Sequence, residues 1–191
     1  KEKTPGIGHA RCGRSHWGVR NGEKMPISTS KYRYVDCDPD LCIGCQICEY
    51  VCSYTKTGEY NSYRSRIRTV RVDEVLITAI TCRTCENPPC VISCPQNALS
   101  QDVDTGIIHV DSQKCDACAW CVDACPFGAI SINPATKLAE ICDQCEELEE
   151  GPQCVLWCPK EALSLTTPEQ QAQKARRELV KEEVVGPKRK E

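Results

Sequence analysis

Large apolar side chains are scarce in this chain. Aromatic residues make up 5% of its 191 positions, with a single Phe and a single Met. So little bulk cannot fill a conventional core, and something other than side-chain burial must organise the fold. No run of about 18 apolar residues occurs, so no membrane-inserted segment is expected. No apolar signal stretch opens the sequence either, and a cytoplasmic location is expected. There is no basic domain or aromatic platform of the kind nucleic acids require. With three histidines and no nucleophile–base pair at a useful spacing, the chain is not expected to be catalytic alone.

Cysteine, by contrast, is abundant: 18 residues. Sixteen of them fall into four tight runs. The first is Cys42, Cys45, Cys48 and Cys52; the second is Cys82, Cys85, Cys90 and Cys94. The third is Cys115, Cys118, Cys121 and Cys125, and the fourth Cys142, Cys145, Cys154 and Cys158. The last three runs end on Cys-Pro, and the third has the spacing of the bacterial ferredoxin run. Disulfide frameworks spread cysteines over loops in secreted chains, and structural zinc takes pairs of Cys-x2-Cys without the trailing Cys-Pro. The pattern therefore points to iron of [4Fe–4S] clusters held by these same cysteines.

The runs form an internal repeat. Short strands are expected to lead in at Tyr32–Val35 and Gly106–Val110, and to lead out at Asn97–Ser100, Ala129–Ile132 and Glu161–Leu165. Proline lacks an N–H and fixes φ, so each Cys-Pro step ends a cysteine helix and turns the chain outward. In the first run Ser53 replaces that proline, and an insert follows. Within it Arg64–Val72 and Glu74–Thr81 read as the strands of a hairpin between the two cluster-bearing halves. Residues 1–31 read as an extended basic arm, and residues 169–184 as one polar helix that is either a solvated tail or a docking element.

A run supplies three thiolates to one cubane while its fourth cysteine ligates the other cluster of a pair. Four runs then make two reciprocal pairs. Chain order fits second with third and first with fourth; first with second and third with fourth stays open on the residues alone. Fully thiolate-ligated clusters pass single electrons and offer no site to a substrate.

Across residues 32–167 the chain resembles the four-cluster ferredoxin-like subunits of multi-subunit redox enzymes. That resemblance implies an α+β fold of short strands and short helices. Two bacterial dicluster modules would be interleaved in one chain, with the hairpin insert and the extended N-terminal arm added. Residues 32–62 and 139–167 would form the first module, residues 63–138 the hairpin and second module, and residues 168–191 a polar tail. It further implies four [4Fe–4S] clusters with defined ligands. Cys42, Cys45 and Cys48 would share one with Cys158, and Cys142, Cys145 and Cys154 one with Cys52. Cys82, Cys85 and Cys90 would share one with Cys125, and Cys115, Cys118 and Cys121 one with Cys94.

Three segments carry a narrower likeness: Cys45–Ser53, Asn61–Arg68 and Cys82–Cys90. They are similar to the small iron–sulfur subunits beside tungsten-containing aldehyde oxidoreductases and benzoyl-CoA reductases. They also resemble the ferredoxin-like partner of carbon monoxide dehydrogenase. The longer subunits of formate dehydrogenase and dimethyl sulfoxide reductase look similar across the motifs. The implied partners are a tungsten-pterin catalytic subunit and a second redox partner such as ferredoxin or a flavoprotein subunit, in an anaerobic cell. The alternatives are a partner of carbon monoxide dehydrogenase or hydrogenase, or a free polyferredoxin.

Charge is unevenly spread. Residues 32–167 carry 10 Lys and Arg against 20 Asp and Glu, whereas residues 1–31 are net +5 and residues 168–191 net +2. An acidic core suits partners with basic docking patches. Trp120 and Trp157, each beside a cysteine, are expected to shield clusters from water. Cys12 and Cys37 stand outside the runs; with His9 and His16 they make a conceivable zinc set, but plain thiols in packed positions are the expectation.

Overall fold

The computed structural model describes residues 32–73 and 76–185. The basic arm, with His9, Cys12 and His16, lies outside the described residues. Among the described residues there are eight short strands and five α-helices. They are β1 (Tyr34–Cys37), α1 (Ile47–Thr57), β2 (Arg68–Val72), β3 (Leu76–Ile80), α2 (Pro89–Ile92), β4 (Leu99–Gln101) and β5 (Ile108–Val110). After them come α3 (Trp120–Ala124), β6 (Ser131–Ile132), β7 (Ala139–Glu140), α4 (Gln153–Leu156), β8 (Leu163–Thr166) and α5 (Pro168–Val185). The architecture is a small mixture of helix and strand, α+β.

The four cysteine loops repeat one backbone device. The residue two after each run's first cysteine has positive φ: Gly44 at 66°, Thr84 at 43°, Ala117 at 59° and Gln144 at 55°. Left-handed residues curl the chain back on itself, so successive cysteines face a common centre. At Gly44 nothing larger fits, because a Cβ there would lie 2.9 Å from Ile77 Cγ2.

The Cys-Pro exits repeat as well. Three residues after the final cysteine, Asn97, Gly128 and Glu161 also take positive φ, at 48°, 60° and 51°. Their amides donate to the carbonyls of Cys94, Cys125 and Cys158 at 3.2, 3.2 and 3.1 Å. The turn buries the next residue, Ala98, Ala129 or Ala162, and the chain leaves towards β4, β6 or β8.

All the sheets are two-stranded and antiparallel: β1 with β8, β2 with β3, β4 with β5, and β6 with β7. The first ladder pairs Tyr34 with Thr166 and Cys37 with Leu163, so the lead-in of the first run lies against the lead-out of the fourth. It is extended by Asp38 N–H donating to Ala162 O at 2.7 Å; Asp111 N–H donates likewise to Ala98 O at 2.8 Å. Helix α1 packs on α4, and α2 on α3. Two apolar cores result. One draws Val35, Cys52, Ile67, Ala79, Cys154 and Leu163 together. The other gathers Cys82, Cys90, Leu99, Ile108, Cys121 and Ile130.

The insert forms the expected hairpin, with two differences. Its first strand begins at Arg68 rather than Arg64, because Ser62–Arg64 is a single 3-10 turn. Ser65 Oγ closes on Ile67, donating to its carbonyl at 2.7 Å and accepting from its N–H at 3.2 Å, which diverts this stretch from any ladder. The sequence groups the hairpin with the second and third runs. Ile67 and Ala79 instead pack in the core shared by the first and fourth.

The polar helix α5 forms as expected. Its first turns are tied to β1 and its exit: Tyr34 Oη donates to Gln171, Gln171 Nε2 donates to Asp36 at 3.2 Å, and Lys174 Nζ donates to Asp38 at 2.7 Å. Beyond that its described side chains are exposed. Among the described residues no helix is long and apolar enough to cross a membrane.

Candidate iron–sulfur sites

The cysteine loops bring thiols together across long stretches of chain. Cys42, Cys45, Cys48 and Cys158 line one small cavity. Cys94, Cys115, Cys118 and Cys121 line another. Cys142 and Cys145 lie close enough to Cys52, and Cys154 to all three, for their charges to act on one another. Cys90 is in the same relation to Cys82, Cys85 and Cys125. None of the described cysteines is in a disulfide.

Burial is the main influence on these thiols. It pushes Cys82 up to about 11, and Cys48 and Cys90 up to about 12; Cys142 and Cys154 are also raised, burial again coming first. A coordinating metal deprotonates its thiol outright, so bound iron would reverse that rise. Backbone donors are already aimed at the sulfurs. Ala98 N–H donates to Cys94 Sγ at 3.3 Å and Ala129 N–H to Cys125 Sγ at 3.5 Å. Among the described residues no three His, Cys, Asp or Glu converge tightly enough to hold one metal ion. A cubane has a separate iron for each thiolate, so it fits thiols that ring a space without meeting at a point. The chemistry and placement of the donors both suit [4Fe–4S] clusters.

The first run's missing proline has a structural consequence. Without it α1 continues to Thr57 and ends at Gly58 in the left-handed region. The amide that follows Cys94 and Cys125 four residues on therefore has no counterpart after Cys52. Arg66 N–H takes its place, donating to Cys52 Sγ at 3.3 Å. The insert thus returns to complete the site that Ser53 left open, while Ser53 itself is fully buried. Sequence reasoning missed this role; the only signal was the absent proline.

Asp143, next to Cys142, is held by Lys56 Nζ at 2.7 Å and Arg66 Nη1 at 2.5 Å. Burial alone would raise its pKa. The hydrogen bond from Lys56 and the charges of Arg66 and Lys56 outweigh that and hold the carboxyl below its usual range. This cluster of charges ties α1 and the insert to the loop of the fourth run. Asp143→Asn is expected to destabilise the holo protein by about 1–3 kcal/mol, read as a lower denaturation midpoint under anaerobic conditions.

Two expectations need correction or completion. Trp120 and Trp157 are 60% and 63% exposed, so they flank the cysteine loops without sealing them. Cys37 is buried, its thiol raised to about 11 chiefly by burial and set near Thr78, Ala79 and Cys42. It is a packed thiol.

A small α+β scaffold that repeats a thiol-lined loop and its exit turn is that of a ferredoxin-like iron–sulfur protein. The model of the 4Fe–4S dicluster domain matches residues 73–167, which takes in the second to fourth runs. The chain is 36% identical over 140 residues to the putative electron transport protein YsaA of Escherichia coli K12, covering 69% of this chain and 87% of that one. It is 34% identical to the electron transport protein HydN of the same strain, over 69% of this chain and 86% of that one. The thiosulfate reductase electron transfer subunit PhsB of Salmonella typhi is 36% identical over 66% of this chain and 71% of its own. Among solved structures, a chain of the active site complex BamBC of benzoyl coenzyme A reductase aligns with TM-score 0.43 and 24% identity, over 78% of this chain and 88% of that one. The chain belongs to the 4Fe–4S dicluster electron-transfer family.

Proposed function

We propose that this chain is the electron-relay subunit of an anaerobic cytoplasmic oxidoreductase complex, carrying four [4Fe–4S] clusters in a row and performing no catalysis alone. The observation that carries the reading is the crossing of the runs. Cys158 lines the cavity of Cys42, Cys45 and Cys48, and Cys94 that of Cys115, Cys118 and Cys121. This is the reciprocal sharing expected when each run's last thiolate ligates the other cluster of a pair. Cys52 with Cys142, Cys145 and Cys154, and Cys125 with Cys82, Cys85 and Cys90, complete the four ligand sets. The two cores support two interleaved modules, one built on the first and fourth runs and one on the second and third, with Ala139, Ile141 and Cys142 packing in the second core.

The clusters, when bound, supply one-electron carriers; the chain's own residues set their order and surroundings. Cys154 lies near Cys48, and Cys142 lies near Cys82. The row therefore runs from the set of Cys42 to that of Cys52, then to Cys82 and finally to Cys94. Among the described residues Cys45 and Cys118, at its two ends, are the exposed cysteines, while the inner sets are mostly buried. Electrons thus enter and leave at opposite ends and cross a dry interior.

The partner proposed is a tungsten-pterin catalytic subunit at one end, with a ferredoxin or flavoprotein at the other. Its support is the likeness of the first run, insert and second run to such small subunits. The test is anaerobic purification from the native cell with mass spectrometry of what accompanies the chain. A large pterin-containing subunit is expected. A chain that elutes alone and reduces soluble acceptors sinks the subunit reading.

A further inference from the structure

The two ends of the row are alike in exposure but differ in charge and hydrogen bonding. We infer that the row is polarised, with the cluster of Cys42, Cys45, Cys48 and Cys158 as its higher-potential end and that of Cys94, Cys115, Cys118 and Cys121 as its lower. The inference rests on the four ligand sets proposed above.

Cluster potential is set by cluster type, net charge, hydrogen bonds to the sulfurs and solvent exposure. Exposure does not separate the ends. Each has one exposed cysteine, Cys45 or Cys118, and one exposed tryptophan, Trp157 at 63% or Trp120 at 60%. Charge does. The charged residue lining the first cavity is Lys160; the charged residue lining the other is Asp116. Reduction adds an electron, so a neighbouring cation favours the reduced cluster and a neighbouring carboxylate disfavours it.

A side-chain donor works in the same direction, against the backbone donor Ala98 N–H that lies 3.3 Å from Cys94 Sγ at the other end. Thr69 lines the first cavity, and its Oγ1 lies 3.9 Å from Cys48 Sγ. A ligating sulfur is a thiolate with no proton to give, so the hydroxyl is the donor. Its bond strengthens as the cluster gains negative charge. Thr69 is held there through its backbone, whose N–H donates to Glu49 Oε1 at 2.6 Å. Glu49 is buried beside Cys48 and opposes the trend with its own charge. On the other side of the loop Arg71 Nη2 donates to Gly44 O at 3.4 Å, which brings a guanidinium to the segment between Cys42 and Cys45 and offsets that carboxylate. The opposite end has no hydroxyl on its cavity wall. There Asp116 Oδ1 accepts from Cys118 N–H at 3.2 Å and Oδ2 from Gln96 Nε2 at 3.1 Å, which fixes a negative charge beside the exposed cysteine. The hairpin insert, present only after the first run, thus adds Thr69 and Arg71 to the difference that Lys160 and Asp116 set. Electrons run downhill from the Cys118 end to the Cys45 end.

Two near-isosteric substitutions label the two terminal couples. The iron content of the wild-type holo chain is measured first; a value well below about 16 per chain defeats the four-cluster reading itself. Potentiometric titration followed by electron paramagnetic resonance is then run on Thr69→Val and Asp116→Asn. Thr69→Val is expected to lower one couple and Asp116→Asn to raise a different one. Each shift is roughly a tenfold change in that cluster's reduction equilibrium, or about 59 mV for one electron. In the wild type, the couple moved by Thr69→Val lies above the one moved by Asp116→Asn, and Thr69→Ser restores the wild-type value. The reverse order, or either variant leaving every couple in place, overturns the inference. If Thr69→Val fails to load iron, Thr69→Ala is titrated instead. Loss of iron from both, with retention by Thr69→Ser, also overturns it, since Thr69 then acts on assembly.

Discussion

Cys52→Ala and Cys142→Ala are each expected to remove about four of some sixteen irons, and the double variant no more than either alone. Cys52 and Cys142 are remote in sequence, yet their thiols act on one another and belong to one proposed ligand set. A cubane that loses one thiolate is labile, and removing a second from the same cubane takes nothing further. Cys52→Ala with Cys82→Ala is expected to remove about eight irons, because those two belong to different sets. The competing arrangement, first run with second and third with fourth, reverses the outcome: Cys52 and Cys82 would then be the non-additive pair. Iron analysis of the five anaerobically purified proteins, wild type included, separates the two arrangements. Thiols that interact behave non-additively and those in separate sites add, as in any double-mutant cycle.

Stripping the iron is expected to unfold most of the molecules. Each sheet has only two strands, and isolated two-stranded hairpins are at best marginal in water. The buried apolar residues are mostly cysteine and alanine, which supply little area to offset chain entropy. The fold must therefore take its stability from the metal, as small metal-organised domains do, with binding free energy acting as folding free energy. A chelator under reducing, anaerobic conditions should abolish the strand signal in circular dichroism and open the chain to rapid proteolysis. An iron-free chain that resists protease as well as the holo protein would refute this. Helix α5 should melt in the same transition, because its anchors Asp36, Asp38 and Tyr34 sit on or beside β1.

What could be read from the residues follows local physics. Cys-Pro predicts an exit turn because proline ends a helix within one residue of itself. The turns at Asn97, Gly128 and Glu161 obey that rule, and β4, β6 and β8 follow where expected. The two extended stretches of the insert point to its hairpin, and the polar stretch at residues 169–184 to α5. Tryptophan beside cysteine was misleading, since adjacency in sequence says nothing about which way a ring points. Trp120 and Trp157 face outward. The strand expected from Arg64 failed for a similar reason: Ser65 closes on Ile67, a competition that propensity does not register.

Spacing alone determined the chemistry of this protein. Four cysteine runs, three of them with a trailing proline, specify iron–sulfur ligation, because the curl of each loop depends only on a few neighbouring dihedrals. Only the tertiary structure decided which thiols lie together. The ladder of β1 with β8 carries Cys158 to Cys42, and no residue near either one encodes that meeting. The same holds for Arg66 beneath Cys52 and Thr69 beside Cys48: both belong to the insert, and both reach sulfurs in a run that precedes it. Contacts of this kind are set by how whole elements pack, and a packing between distant segments leaves no periodic trace in the chain.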